Sequence, residues 1–148
     1  MRISAKAEYA CVAMLELAAN YADAQPVRIK AIADAQGIPP RFLVQILLAL
    51  KTAGLVASVR GAAGGYQLAR PPDSISLASI INAIDAGARN PTLTPRSALT
   101  EINRSRAIDV LLGVWKEIQM EEQKLLQNLT LAELVRRTEQ TNALSYQI

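Results

Sequence analysis

Apolar residues recur along most of this chain at helical spacing, and the breaks in that spacing divide it into elements. Ser4 is placed to cap a first helix running to about Asn20, with Tyr9, Val12, Ala13 and Leu17 along one side. Pro26 breaks the chain after it. A short second helix carries Ile29, Ile32 and Ala33 and ends at Gly37. Pro39 and Pro40 open a third, since proline in the first turn gives up no intrahelical hydrogen bond. Leu43, Ile46, Leu47 and Leu50 then follow the i, i+3, i+4, i+7 spacing of a buried face, and Gly54 closes the helix. Two short helices joined through Ala35-Gln36-Gly37-Ile38 have the form of a helix-turn-helix.

After Leu55 the residue types change. Val56, Val59, Tyr66 and Leu68 are strand formers flanking Arg60-Gly61-Ala62-Ala63-Gly64-Gly65, which predicts a hairpin with a tip poor in side chains. A hairpin directly after a helix-turn-helix is a wing. Pro71-Pro72 ends it, and Ser76 caps a fourth helix with Leu77, Ile80, Ile81 and Ile84 facing inward. Residues 86–96 turn to Gly, Asn, Pro, Thr and Arg and read as an exposed loop. A long helix over 97–129 follows. In it Ile108, Leu111, Trp115, Ile118, Leu125 and Leu129 fall at alternating three- and four-residue steps that only Glu122 interrupts. That is a dimerisation seam of about three heptads. The alternative is a stripe packed on its own domain, but the domain before it already has its own core residues. Thr130-Leu131-Ala132-Glu133 has capping-box spacing and opens a short last helix through about Thr138, within a C-terminal segment at 130–148. The expected fold is mainly α with a small β-hairpin: a winged helix-turn-helix over 1–85, then a dimerisation helix.

Composition narrows the setting. Hydrophobic residues make up 51% of the 148, enough for a core without disulfide or metal, while aromatics are only 4%, so Leu, Ile, Val and Ala do the packing. The single cysteine, Cys11, suits a reducing compartment, and neither a membrane span nor a secretory leader is legible, so a cytoplasmic protein is expected. The net charge of +3 is unevenly spread. Residues 1–70 hold Arg2, Lys6, Arg28, Lys30, Arg41, Lys51, Arg60 and Arg70 against Glu8, Glu16, Asp23 and Asp34. A basic first half is what phosphate neutralisation requires.

Enzyme chemistry finds little support. Histidine is absent, which removes the commonest general base and metal ligand. No carboxylate pair, nucleophile motif or phosphate-binding glycine signature stands out, because Gly61, Gly64 and Gly65 lie in a hairpin and not between a strand and a helix. Cys11 sits mid-helix among small apolar residues, the place of an inert thiol. No cofactor or metal is expected.

A helix-turn-helix does its work through shape. Its second helix enters the major groove, and exposed residues near that helix's start reach the base edges. Opposite the buried stripe the third helix presents Arg41, Val44, Gln45, Leu48 and Thr52. Arginine chelates guanine and glutamine chelates adenine, so Arg41 and Gln45 are the expected readers, with Val44 facing a thymine methyl. Arg60 beside a tip of Gly61, Gly64, Gly65 and Tyr66 is suited to a narrow minor groove. Arg2, Ser4, Lys6, Arg28 and Lys30 are candidates for positioning on phosphate.

The chain also resembles the Rrf-two family of bacterial winged helix-turn-helix regulators, which includes the iron–sulfur cluster regulator and the cysteine-metabolism repressor. The resemblance is carried by residues 1–10 (MRISAKAEYA), Ile32-Ala33, Gln36-Gly37-Ile38, Phe42-Leu43 and Gln45-Ile46-Leu47. Its most specific stretches are Ala53-Gly54-Leu55-Val56 and residues 58–70 (SVRGAAGGYQLAR), with Trp115 and residues 129–134 (LTLAEL) further on. It implies a homodimer binding a roughly palindromic operator, third helices and wings on the duplex, Arg60 in the minor groove.

Departures from that pattern matter as much. Cluster-binding members carry three cysteines in the loop before the dimer helix and a histidine or acidic fourth ligand. Residues 87–106 here hold no Cys and no His. Glu8 sits where some members place an acidic ligand, but one carboxylate does not hold a cluster, and pooling Cys11 and Glu8 from two subunits requires Cys11 to face the dimer interface. The third helix ends Leu48-Ala49-Leu50-Lys51-Thr52 where relatives often carry a basic turn, and Val44 stands where some carry an acid. Fewer phosphate contacts predict weaker binding with a shallower salt dependence. The expectation is a cluster-free dimeric regulator of transcription, with a small molecule, a protein effector or redox state as its signal. Two alternatives stay open: an interaction module controlling a partner enzyme, and an iron–sulfur or redox sensor with unusual ligands.

Overall fold

The computed structural model describes residues 3–86 and 105–146. Six helices and one hairpin are found among them: α1 (Ala5–Ala19), α2 (Ile29–Gln36), α3 (Pro40–Thr52), β1 (Val56–Val59), β2 (Gly65–Leu68), α4 (Leu77–Asp85), α5 (Arg106–Asn128) and α6 (Leu131–Tyr146). The protein is mainly α-helical, and its single sheet among these residues is the antiparallel pair β1–β2, with Val56 opposite Leu68 and Val59 opposite Gly65. This is a winged helix-turn-helix. Among the described residues no helix is long and apolar enough to cross a membrane.

The helix ends obey local chemistry. Ser4 caps α1 by accepting from the Ala7 N–H at 3.1 Å, and Ser76 caps α4 by accepting from the Ser79 N–H at 3.2 Å. Pro40 opens α3, and Gly37 ends α2. At α6 half of the expected capping box forms: the Thr130 hydroxyl accepts from the Glu133 N–H, while the Glu133 carboxylate turns forward to Arg136 and Arg137.

One helix organises the core. The inner face of α1 is Ala10, Ala13, Met14 and Leu17, and its small methyls let α2, α3 and α4 approach closely. Against it pack Ile32, Leu43, Ile46, Leu47, Leu50, Val56, Leu68, Ile75 and Ile80. The expected side of α1 included Tyr9 and Val12, which lie at the edge of this core and not inside it.

The C-terminal segment is part of the same body. Leu131 is completely buried in the main core. A short ladder ties the turn before α6 to the start of α4: the Leu77 N–H donates to Leu129 at 2.9 Å, and the Leu131 N–H donates to Ile75 at 2.9 Å. The expected short last helix is corrected here. It does not stop near Thr138 but runs to Tyr146, with Leu131 and Val135 at the core and α6 alongside α1. The start of the long helix was expected at 97, which lies outside the described residues. The observed helix begins at Arg106, capped by Ser105, whose hydroxyl accepts from the Ile108 N–H.

Candidate nucleic-acid interface

The helix-turn-helix presents one face of α3 outward. Leu43, Ile46, Leu47 and Leu50 turn into the core, which leaves Arg41, Val44, Gln45, Leu48 and Thr52 exposed on the far side. Leu48 is the most exposed apolar residue on that face. Arg41 is held in place: its guanidinium lies 5.0 Å from the centre of the Phe42 ring, and Phe42 stacks on Tyr9 of α1 at 6.5 Å. The sequence reading quoted Phe42 without giving it a role; an aromatic beside an arginine at a helix start was the available signal. Lys6, on the first turn of α1, shares an open depression with Gln45, Leu48, Ala49 and Thr52. The fold therefore brings Lys6 to the flank of α3.

Arg60 follows β1 directly and is exposed. The turn after it closes through the Gly64 N–H donating to the Gly61 carbonyl at 3.0 Å. Two of its glycines answer to the hairpin itself. A Cβ on Gly64 would stand 2.2 Å from the Val59 carbonyl oxygen, and one on Gly65 would stand 2.5 Å from that of Val27. Backbone passes too close there for any side chain. Tyr66 is half-buried against the core, and its backbone exchanges two hydrogen bonds of 2.8 Å with Val27. It ties the tip-side half of β2 to the segment before α2.

The remaining candidates fall in different places. Arg2 lies outside the described residues. The Ser4 hydroxyl is spent within the protein, accepting from Ala7 and donating to Asp85 Oδ1 at 2.9 Å, which joins the start of α1 to the end of α4. Lys30 is exposed on α2. Arg28 occupies the N-cap position of α2, and its guanidinium donates to the carbonyl of Ala62 at the wing tip.

Five of the six seam residues lie on α5, while Leu129 lies just past its end, half-buried, its carbonyl accepting from the Leu77 N–H of the same chain. Leu111, Trp115, Ile118 and Leu125 are exposed, and Ile108 is half-buried. Val110 and Val114 are exposed beside them, so the apolar face is wider than a count of three- and four-residue steps finds. Only Leu126 of α5 is buried, packed with Ala7, Ala78 and Ile81.

The donor set for a metal cluster is poor. Among the described residues no three His, Cys, Asp or Glu side chains converge as metal ligands would. Cys11, the chain's one cysteine, is half-buried against the core, and burial, with Glu8 and Asp85 adding to it, pushes its thiol up to about 11. A raised pKa lowers the thiolate fraction and so weakens Cys11 as a ligand. The loop in which relatives place their cysteines lies largely outside the described residues, but its sequence holds no Cys or His. These residues do not fit an iron–sulfur cluster, which takes four thiolates or close substitutes.

Comparison with known proteins agrees with this geometry. The Rrf2 family model, described as an iron-dependent transcriptional regulator, matches residues 3–137. An HTH-type transcriptional regulator of Mycobacterium tuberculosis is 42% identical over 135 residues, which are 90% of this chain and 81% of that protein. The transcriptional regulator IscR of Yersinia pestis is 34% identical over 135 residues, 91% of this chain and 79% of that one. Among solved structures, T. potens IscR superposes with a TM-score of 0.75 at 33% identity, covering 95% of this chain and 90% of that one. CymR, the global cysteine regulator of B. subtilis, superposes with a TM-score of 0.78 at 29% identity, covering 93% and 98%. The fold that carries the wing and the long helix is thus shared with solved regulators over nine-tenths or more of each chain, and this chain belongs to the Rrf2 family of DNA-binding transcriptional regulators.

Proposed function

We propose that this protein is a homodimer that binds an operator with α3 in the major groove and the wing in the adjacent minor groove, and that it works without an iron–sulfur cluster. The observation that carries the reading is the exposed face of α3, where Arg41 and Gln45 stand clear of the core with Arg41 oriented by Phe42. Both side chains offer paired groups of the kind that chelate purine edges. Lys6 flanks that face and Arg60 stands free at the wing, as a duplex with phosphates on either side of its grooves requires. The exposed apolar stripe of α5 supplies a surface for the second copy, and two copies read two half-sites about one helical turn apart.

The cluster-free part rests on the donor set. With one cysteine and no histidine, the signal acts without a bound cluster, through a small molecule, a protein effector or redox state.

Footprinting on the region upstream of the protein's own gene tests the reading. Protection of a two-fold site by the wild type, lost in Arg60→Ala and Arg41→Ala with folding intact, supports it. No protected site at low salt from a folded dimer refutes it. A second reading, an interaction module that controls a partner enzyme, is favoured by Val44 and Leu48, apolar and exposed on the same face. In that case Arg60→Ala leaves regulation unchanged.

A further inference from the structure

We propose that Arg28 is a brace that holds the wing in its DNA-binding position, a positioning residue and not a phosphate contact. The proposal rests on the operator-binding reading for its consequence, but not for its structural part.

The wing needs support from outside itself. Its strands are four residues each, and a two-stranded hairpin of that size is marginal alone. Its tip, Gly61-Ala62-Ala63-Gly64, has no side chain beyond a methyl with which to pack, and glycine-rich backbone loses the most entropy when ordered. The tip-side half of β2 is fastened by Val27, whose backbone exchanges two hydrogen bonds with Tyr66 and approaches Gly65, the last paired residue before the turn, so closely that no Cβ fits. Arg28 is the next residue. Its guanidinium continues outward along the hairpin and donates to the Ala62 carbonyl at the tip. Two consecutive residues of one extended segment thus hold the tip-side end of β2 and the turn beyond it. Both precede α2 directly, so the brace refers the wing to the helix-turn-helix itself.

The consequence is preorganisation. Arg60, at the root of the braced tip, is presented in one orientation before DNA arrives, and the cost of ordering the tip is not drawn from binding. A guanidinium engaged in this way releases no counterion when the operator binds, which separates a brace from a phosphate contact.

The test combines hydrogen exchange with operator binding, using wild type, Arg28→Ala, Arg60→Ala and the double variant. As a brace, Arg28→Ala speeds amide exchange at Gly61 to Gly64 in the DNA-free protein while melting temperature holds, since the residue is exposed. Operator Kd rises about 5- to 10-fold, within the net contribution of one hydrogen bond. The slope of log K against log salt does not change, and the effect shrinks below about 2-fold in the Arg60→Ala background, because the brace acts through Arg60. A slope reduced by about one, with additive losses and no change in tip exchange, overturns the proposal in favour of a phosphate contact. Unchanged exchange with unchanged Kd overturns it outright. If the wild type binds no operator, the DNA reading falls, and the exchange comparison still decides whether the brace exists.

Discussion

Adjacent leucines on α5 offer a test in which the same chemical change should do two different things. Leu126 is buried with Ala7, Ala78 and Ile81, whereas Leu125 is 63% exposed and points along the apolar stripe. Truncating Leu126 to alanine removes core packing inside one chain and is expected to cost about 2–3 kcal/mol, or roughly 4–12 °C in Tm. Truncating Leu125 costs the isolated chain little. In the dimer, its remaining two-thirds of surface is available to bury, worth about 1–2 kcal/mol of a full leucine's 1.5–3. Symmetry doubles this to about 2–4 kcal/mol, or roughly 30- to 1000-fold in the dimer dissociation constant. Sedimentation equilibrium reads the second effect, and urea unfolding at two protein concentrations separates it from the first, since only a coupled dimer shows concentration dependence. Leu125→Ala should therefore cost little apparent stability where both proteins are dilute monomers, and show its full penalty at concentrations where the wild type is dimeric. If Leu125→Ala leaves the dimer untouched, or if both variants destabilise equally at every concentration, the outward stripe is not the dimer surface.

Other consequences follow from the wing, from α3 and from Cys11. Gly65→Ala places a methyl 2.5 Å from the Val27 carbonyl oxygen, so one strand must yield; a loss of about 1–3 kcal/mol in thermal or urea unfolding is expected, and a neutral result contradicts the close approach. Phe42→Leu takes the ring from beneath Arg41 and should weaken operator binding about 2- to 5-fold with little change in fold, as an exposed cation–π contact of about 0.5–1 kcal/mol implies. Folded Cys11 keeps its proton to about pH 11 while the unfolded thiol gives it up near 9.0, so the unfolded chain binds fewer protons in that window. Stability should fall there as pH rises, more steeply than in Cys11→Ala, and thiol reagents should react slowly with the native protein at pH 8.

Much of this architecture was legible because period and punctuation agree along the chain. Ser4, Ser76, Pro40 and Gly37 mark ends where the apolar stripes begin or stop, and each does so through a backbone group it satisfies or gives up. The face of α3 was legible for the same reason, since a buried stripe determines its opposite. What escaped the reading depends on tertiary contact. Leu131 looks like the first residue of a tail helix, and nothing local says that it closes the main core. The length of α6 escaped as well, because its polar composition past Thr138 gives a weak helical signal. The bonds that Arg28 and Ser4 donate within the protein were not visible either, because their partners, Ala62 and Asp85, lie 34 and 81 residues away. Sequence offers candidate donors; only the fold shows which are already spent.

The way α5 is attached bears on how such a regulator would set its spacing on DNA. Leu126, its one buried residue, lies near the C-terminal end, and the backbone ladder between Leu77, Leu129, Leu131 and Ile75 lies just beyond. Ile108 is eighteen positions earlier, roughly 27 Å away at 1.5 Å per residue. Leu111, Trp115 and Ile118 of the apolar stripe lie about two to four turns before Leu126. A tilt of about 10° at Leu126 carries the Ile108 end through roughly 5 Å. In the proposed dimer such a movement alters the separation of the two α3 helices, which must match half-sites about 34 Å apart. This end of α5 also reaches the DNA-facing surface, because Ala7 packs beside Leu126 one residue from Lys6, and the Ser4 bond to Asp85 joins the start of α1 to the end of α4. A signal need not touch α3 to switch binding. It has only to change how α5 sits on Ala7, Ala78 and Ile81, and a contact this small, most of it methyl groups, is one that a modest differential binding energy can move.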